Sequence, residues 1–147
     1  MPVLKPFPPR FTIRYEPCPT APEALGCADV ETGDVYVRTR DRFARWHELG
    51  HVFDWQVLTD ADRAWFTRLL RFPPETPWWS DDAMQEGEGV SPSEQFADAY
   101  AACGMGRSPA GRRVQSRVVV EWTTGYDYYP TVRQHQRICT LIVRIGS

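Results

Sequence analysis

The 147-residue chain carries 17 basic and 19 acidic side chains, for a formal net charge of −2, and a pI near 5.9. That balance excludes a broadly basic nucleic-acid-binding face, and no stretch approaches the ~18 apolar residues that a membrane span needs. A chain of this length can bury roughly 70% of the surface its unfolded form exposes, so one domain over residues 1–147 is expected.

The first residues, Met1-Pro-Val-Leu-Lys-Pro-Phe-Pro-Pro-Arg10, lack the apolar stretch of a secretory signal, which predicts a cytoplasmic protein. Cys18, Cys27, Cys103 and Cys139 show no C-x-x-C spacing. In a reducing cytosol they read as small buried apolar residues. Export by another route would make Cys18–Cys27 and Cys103–Cys139 the pairs to test. Residues 11–16 alternate with period two, and 27–30 and 35–38 flank a turn at Glu31-Thr-Gly-Asp34, which predicts a strand followed by a hairpin.

Thr39 or Asp41 can cap a helix in which Phe43, Trp46, Leu49, Gly50, Phe53 and Val57 recur at intervals of three and four. That helix contains His47-Glu48-Leu-Gly-His51, an HExxH motif. One turn apart on a shared face, the two histidines can bind one zinc ion. Glu48, rotated by about 100° from His47, can reach a water without becoming a ligand. Asp54, seven residues after His47, also falls on the metal face, as a group orienting a ligand or as an alternative ligand.

A further helix is expected from Thr59 to about Arg71, with Trp65, Phe66, Leu69 and Leu70 inward, closed by Pro73-Pro74. The long loop after it holds Trp78-Trp79, which can line a cleft or pack over the core. Ser91-Pro-Ser-Glu94-Gln-Phe-Ala-Asp98-Ala-Tyr100 then opens another helix, with Ser91 as cap and Pro92 at its first position. A catalytic zinc site takes three protein ligands and keeps a position open. His135 and the later carboxylates are candidates for the third; Glu94 is favoured, because Asp98, one turn on, can accept the free N–H of a ligating histidine. The same Ser91-x-x-Glu94 pattern is also a capping box, in which the glutamate would only reach back to the backbone.

Arg107, Arg112, Arg113 and Arg117 cluster after a segment free of basic residues, and read as a solvated loop able to steer an acidic partner. The final stretch from Pro130 to Arg144 predicts a helix with Val132, Ile138, Cys139, Leu141 and Ile142 inward. His135 within it, or one of Tyr126, Tyr128 and Tyr129 before it, is a candidate donor to the oxyanion that zinc peptide hydrolysis develops.

Together, His47-Glu48-x-x-His51 and Glu94-x-x-x-Asp98 resemble the gluzincin metallopeptidases. More narrowly, Arg42-Phe-Ala-Arg-Trp-His-Glu-Leu-Gly-His51 with Glu94-x-x-Ala97-x-x-Tyr100-Ala101 is similar to the ImmA/IrrE-type metallopeptidases of phages and mobile elements. The resemblance spans residues 34–103 and departs at Cys103-Gly-Met-Gly, where that group often has Leu-Leu-x-Pro. It implies an α+β, zincin-like fold: a small N-terminal antiparallel or mixed sheet, then the HExxH helix and further helices. It also implies a peptidase with one catalytic Zn2+ on His47, His51 and Glu94, Glu48 as base and Asp98 as orienting group. In zincin-like folds an edge strand beside the active-site helix pairs with an extended substrate, a role expected here of Val35, Tyr36, Val37 and Arg38. The expected partner is a protein or peptide substrate, with no nucleic acid and no membrane. The alternative is a catalytically inactive regulatory or interaction protein of the same fold, against which an intact Glu48 argues.

Overall fold

A computed structural model describes residues 7–38, 40–79, 91–105, 112–114, 117–119, 128 and 130–146. These form an α+β arrangement of a three-stranded mixed sheet, a two-stranded ribbon and four helices. The sheet comprises β1 (Thr12–Arg14), β2 (Gly26–Asp29) and β3 (Asp34–Val37) in the order β1-β3-β2. The hairpin forms as expected, β2 antiparallel to β3 with Asp29 opposite Asp34. Its turn is held by the Asp29 carboxylate, which accepts the Glu31 and Thr32 amides at 3.2 and 3.3 Å. Strand β1 is shorter than the alternating run suggests and pairs in parallel with the other side of β3, Ile13 opposite Val35.

Strand β3 is therefore central, which corrects the expectation that Val35 to Arg38 form a substrate-binding edge. Both of its hydrogen-bonding sides are taken, and Val35 and Val37 are fully buried against the helices while Tyr36 alternates to the other face. Arg38 follows the strand and is bonded to the chain leading into β2, its amide donating to the Leu25 carbonyl at 3.0 Å and its guanidinium to the Glu23 backbone carbonyl at 3.1 Å. Among the described residues, the open edges of this sheet are β1 and β2.

Helix α1 (Arg42–Val57) starts at Asp41, whose carboxylate accepts the Phe43 and Ala44 amides at 2.8 and 3.2 Å. Helix α2 (Asp60–Leu69) has a capping box between Thr59 and Asp62. Helix α3 (Pro92–Gly104) begins at Ser91 with Pro92 in its first turn and is buried along almost its whole length. Helix α4 (Val132–Ile145) is capped by Thr131 and Gln134, and Gln134 also donates to the Leu69 carbonyl at 2.8 Å, tying α4 to the end of α2. The core lies where α1, α2 and α3 meet: Phe53, Phe66, Phe96 and Tyr100 are each about 1% exposed or less, with Phe53 and Tyr100 ring centres 5.0 Å apart. Trp78 closes this cluster against Phe66 and Phe96, so it packs over the core, while Trp79 lies exposed against Trp55.

The close approach of α1 to α3 requires a glycine. A Cβ on Gly50 would stand 2.9 Å from the Ala97 Cα and 3.1 Å from the Tyr100 Cβ. Gly50→Ala gains up to about 1 kcal/mol in helix propensity but forces two backbones apart at a cost of about 1–3 kcal/mol. A lower denaturant midpoint is the expected result, and an unchanged or raised midpoint would show that the helices are free to separate.

Residues 112–114 and 117–119 form an antiparallel ribbon, β4 (Arg112–Val114) with β5 (Arg117–Val119), where the arginine cluster suggests a loop. Arg107 lies outside the described residues, as do Tyr126 and Tyr129. The cysteines are not separate apolar residues. Cys18 is bonded to Cys27, linking the loop after β1 to β2, and Cys103 to Cys139, linking the end of α3 to α4. Disulfides persist in oxidising compartments, which weighs against the cytoplasmic expectation. No helix among the described residues is long and apolar enough to cross a membrane.

Candidate metal centre

Helices α1 and α3 bring four of the expected site residues into one buried cluster. The α-helical repeat places His47 and His51 on the face of α1 that meets α3, with ring centres 4.9 Å apart. Both Nε2 atoms point at the Glu94 carboxylate of α3. His47 lies 3.0 Å from one of its oxygens, and His51 3.0 Å from the other. Glu94 thus serves the histidines rather than a reciprocal cap, while the Ser91 hydroxyl accepts the Glu94 amide at 3.4 Å and caps the helix alone. Behind His47, the Asp98 carboxylate accepts Nδ1–H at 2.7 Å, so the helical spacing of Glu94 and Asp98 grips both nitrogens of one ring.

The electrostatics follow from this packing. Burial alone would hold His47 neutral, but hydrogen bonds to Asp98 and Glu94, helped by the Glu48 charge, raise its pKa to about 10. His51 is likewise raised: burial opposes its charge, and Glu94 outweighs burial by proximity and hydrogen bonding. Glu94 is buried too, yet the adjacent His51 charge and the two imidazole hydrogen bonds hold its carboxyl well below the usual range. Glu48 sits beside this group without joining it. Burial, reinforced by the carboxylates of Glu94 and Asp98 and opposed by the two histidines, makes it a stronger base than an ordinary glutamate.

The donor set fits a zinc ion. Two imidazole nitrogens and a carboxylate oxygen, all within 4.8 Å of one another, are the borderline N and O ligands that zinc takes. Asp98, at 2.7 Å from His47 Nδ1, is placed as the outer partner that would fix the tautomer of a ligating histidine.

The other expected site residues are placed elsewhere. Asp54 is buried, but Arg63 donates to one carboxylate oxygen at 2.8 Å and the Trp78 indole to the other at 2.7 Å. It is a structural tie between α1, α2 and the following loop, and sequence spacing alone could not reveal either partner. Its carboxyl is nevertheless pushed up, because burial outweighs those two donors. His135 does not face the cluster. Its Nδ1 meets the Tyr128 hydroxyl at 2.6 Å and its Nε2 faces the sulfurs of Cys139 and Cys103 at 3.4 and 3.9 Å. Burial lowers its pKa to about 4, so it is neutral, and burial with the nearby Asp98 charge pushes the Tyr128 phenol up.

One position that the sequence does not advertise is Gly26, at the start of edge strand β2. A Cβ there would lie 2.9 Å from the Tyr36 carbonyl oxygen and 3.2 Å from the Glu48 Cγ, so β2 runs against the Glu48 side chain. Gly26→Val should displace the Glu48 side chain and reduce any Glu48-dependent turnover roughly 10–100-fold, with metal affinity unchanged. Full activity in that variant would separate β2 from the site.

Compared with protein-family models, curated proteins and solved structures, the chain finds no match.

Proposed function

We propose that this chain is a zinc-dependent metallopeptidase of gluzincin type, with a zincin-like fold, that hydrolyses peptide bonds in a protein or peptide substrate. The observation that carries the reading is the convergence of His47, His51 and Glu94 from two helices, with Glu48 beside them and Asp98 behind. A pure metal site has no need of a carboxylate at position 48, whereas hydrolysis does.

His47, His51 and Glu94 would hold the ion. The chemistry zinc supplies when held there is Lewis acidity toward a carbonyl and toward water. The rest is done by side chains of this protein. Asp98 holds the Nδ1 proton of His47, which leaves the Nε2 lone pair for the metal once the Nε2 proton is lost. Glu48, made more basic by burial, takes the proton of the attacking water and returns it to the leaving amine. Among the described residues strand β2 is an edge strand packed beside Glu48 of α1, and an extended substrate backbone can add to it by main-chain hydrogen bonds.

Metal removal tests the proposal. Incubated with a peptide library, the zinc-loaded protein should generate new N termini detectable by mass spectrometry. A chelator should abolish them and added zinc restore them. Cleavage that survives exhaustive chelation, or its absence from fully loaded protein, would exclude a zinc peptidase.

A further inference from the structure

A second cluster of ligand atoms lies where the end of α3 meets α4. His135 and Cys139 are four residues apart on α4, the spacing that places His47 and His51 on one face of α1. Cys103 reaches them from α3. The imidazole Nε2 and the two sulfurs lie within 4.8 Å of one another. His135 is 1% exposed, and a buried imidazole needs a partner at each nitrogen. Tyr128 serves Nδ1 at 2.6 Å. Among the described residues Nε2 faces the two sulfurs, poor hydrogen-bonding partners but good metal ligands.

In the structure these sulfurs form a disulfide. We propose that its reduction turns the cluster into a second metal site, in which Cys103 Sγ, Cys139 Sγ and His135 Nε2 hold one zinc-like divalent ion. A dithiol reductant supplies the two electrons and two protons: the S–S bond breaks, two thiols form, and the reductant leaves as its own disulfide. The ion then displaces both thiol protons and takes the lone pair of Nε2. Nδ1 keeps its proton and donates it to the Tyr128 oxygen, which fixes the tautomer.

The geometry suits this exchange. Ligand atoms around a tetrahedral zinc with Zn–S near 2.3 Å and Zn–N near 2.0–2.1 Å stand ~3.5–3.8 Å apart. The two Nε2–Sγ separations, 3.4 and 3.9 Å, bracket that range, so only the sulfurs must part. Cys103 and Cys139 are half-buried, within reach of a reductant and an ion. Helices α3 and α4 would stay linked in both states, by a covalent bond in one and by a metal in the other. This site shares no ligand with the His47 centre and stands whether or not the chain is a peptidase.

Cobalt(II) titration of the full chain tests the proposal, because thiolate ligation produces a near-ultraviolet charge-transfer absorption that nitrogen and oxygen ligands do not. Oxidised protein should show none. Protein reduced with a dithiol, then freed of it anaerobically, should gain one further equivalent of cobalt together with that absorption. The signal should persist in the Cys18→Ser/Cys27→Ser double variant. It should be lost in Cys139→Ser, and binding should weaken at least about tenfold in His135→Ala. No charge-transfer absorption on reduction of the unaltered chain would overturn the proposal, and that measurement needs no variant to fold. Absorption that vanishes in the Cys18/Cys27 variant, or that keeps full affinity without His135, would overturn it equally.

Discussion

Glu48→Gln should lower peptide cleavage by about 10²–10⁴-fold, the usual share of a positioned general base, while zinc content and thermal stability stay close to those of the unaltered protein. The amide keeps the shape of the side chain beside β2, and Glu48 is not among the groups that converge as ligands. What it loses is a carboxylate whose proton affinity is raised by burial and by the Glu94 and Asp98 charges. Activity should therefore fall at every pH rather than shift its optimum. Metal content by elemental analysis and cleavage by mass spectrometry, on the same sample, decide the matter. Undiminished biological activity in this variant would favour the alternative of an interaction protein that keeps the fold without the chemistry.

Glu94→Ala has the second large effect, and it reaches both stability and metal binding. In the metal-free protein the carboxylate holds the buried His47 and the half-buried His51 imidazoles at 3.0 Å each, and removing one partner from a largely buried charged cluster costs about 3–5 kcal/mol. The pH dependence gives it a signature. His47 has its folded pKa raised from 6.5 to about 10, so its contribution to stability is complete below pH 6.5 and disappears as pH rises toward 10. Metal-free protein should thus lose stability across that interval, and Glu94→Ala should shrink the loss because one of the two main supports of the His47 charge is gone. Zinc affinity should collapse in the same variant. Unchanged zinc affinity would remove Glu94 from the site. A pH–stability profile identical to that of the unaltered protein would mean that Asp98 alone holds the His47 charge.

Much of the site can be read in the sequence because its signals are local. The HExxH spacing, Asp41 before α1, Thr59 before α2 and Ser91-Pro92 before α3 each act within a turn or two of chain, where helix geometry leaves few alternatives. Glu94 and Asp98 belong with them, since a four-residue spacing on a capped helix puts two carboxylates on one face. Strand order is another matter. That β3 is covered on both sides depends on β1 returning in parallel, a pairing across more than twenty residues that no period in the sequence encodes. The same holds for Asp54: helical spacing turns it toward the histidines, but Trp78, from a loop 24 residues away, and Arg63 claim both of its oxygens. His135 reads in the sequence as a candidate oxyanion donor or a surface group, and only the packing of α3 against α4 puts Cys103 beside it.

The Cys18–Cys27 bond bears on how a substrate would be received. Cys27 lies within β2, the edge that runs against Glu48, and the bond closes a short loop in front of it, its two cysteines only nine positions apart. An edge strand anchored in this way has little freedom left to lose when another strand adds to it, and affinity gained by such rigidity comes without any added contact. Cutting the bond should therefore raise KM for a peptide while leaving kcat nearly untouched. The oxidation state of the surroundings would set how much substrate is needed, not how fast the bound substrate is cut.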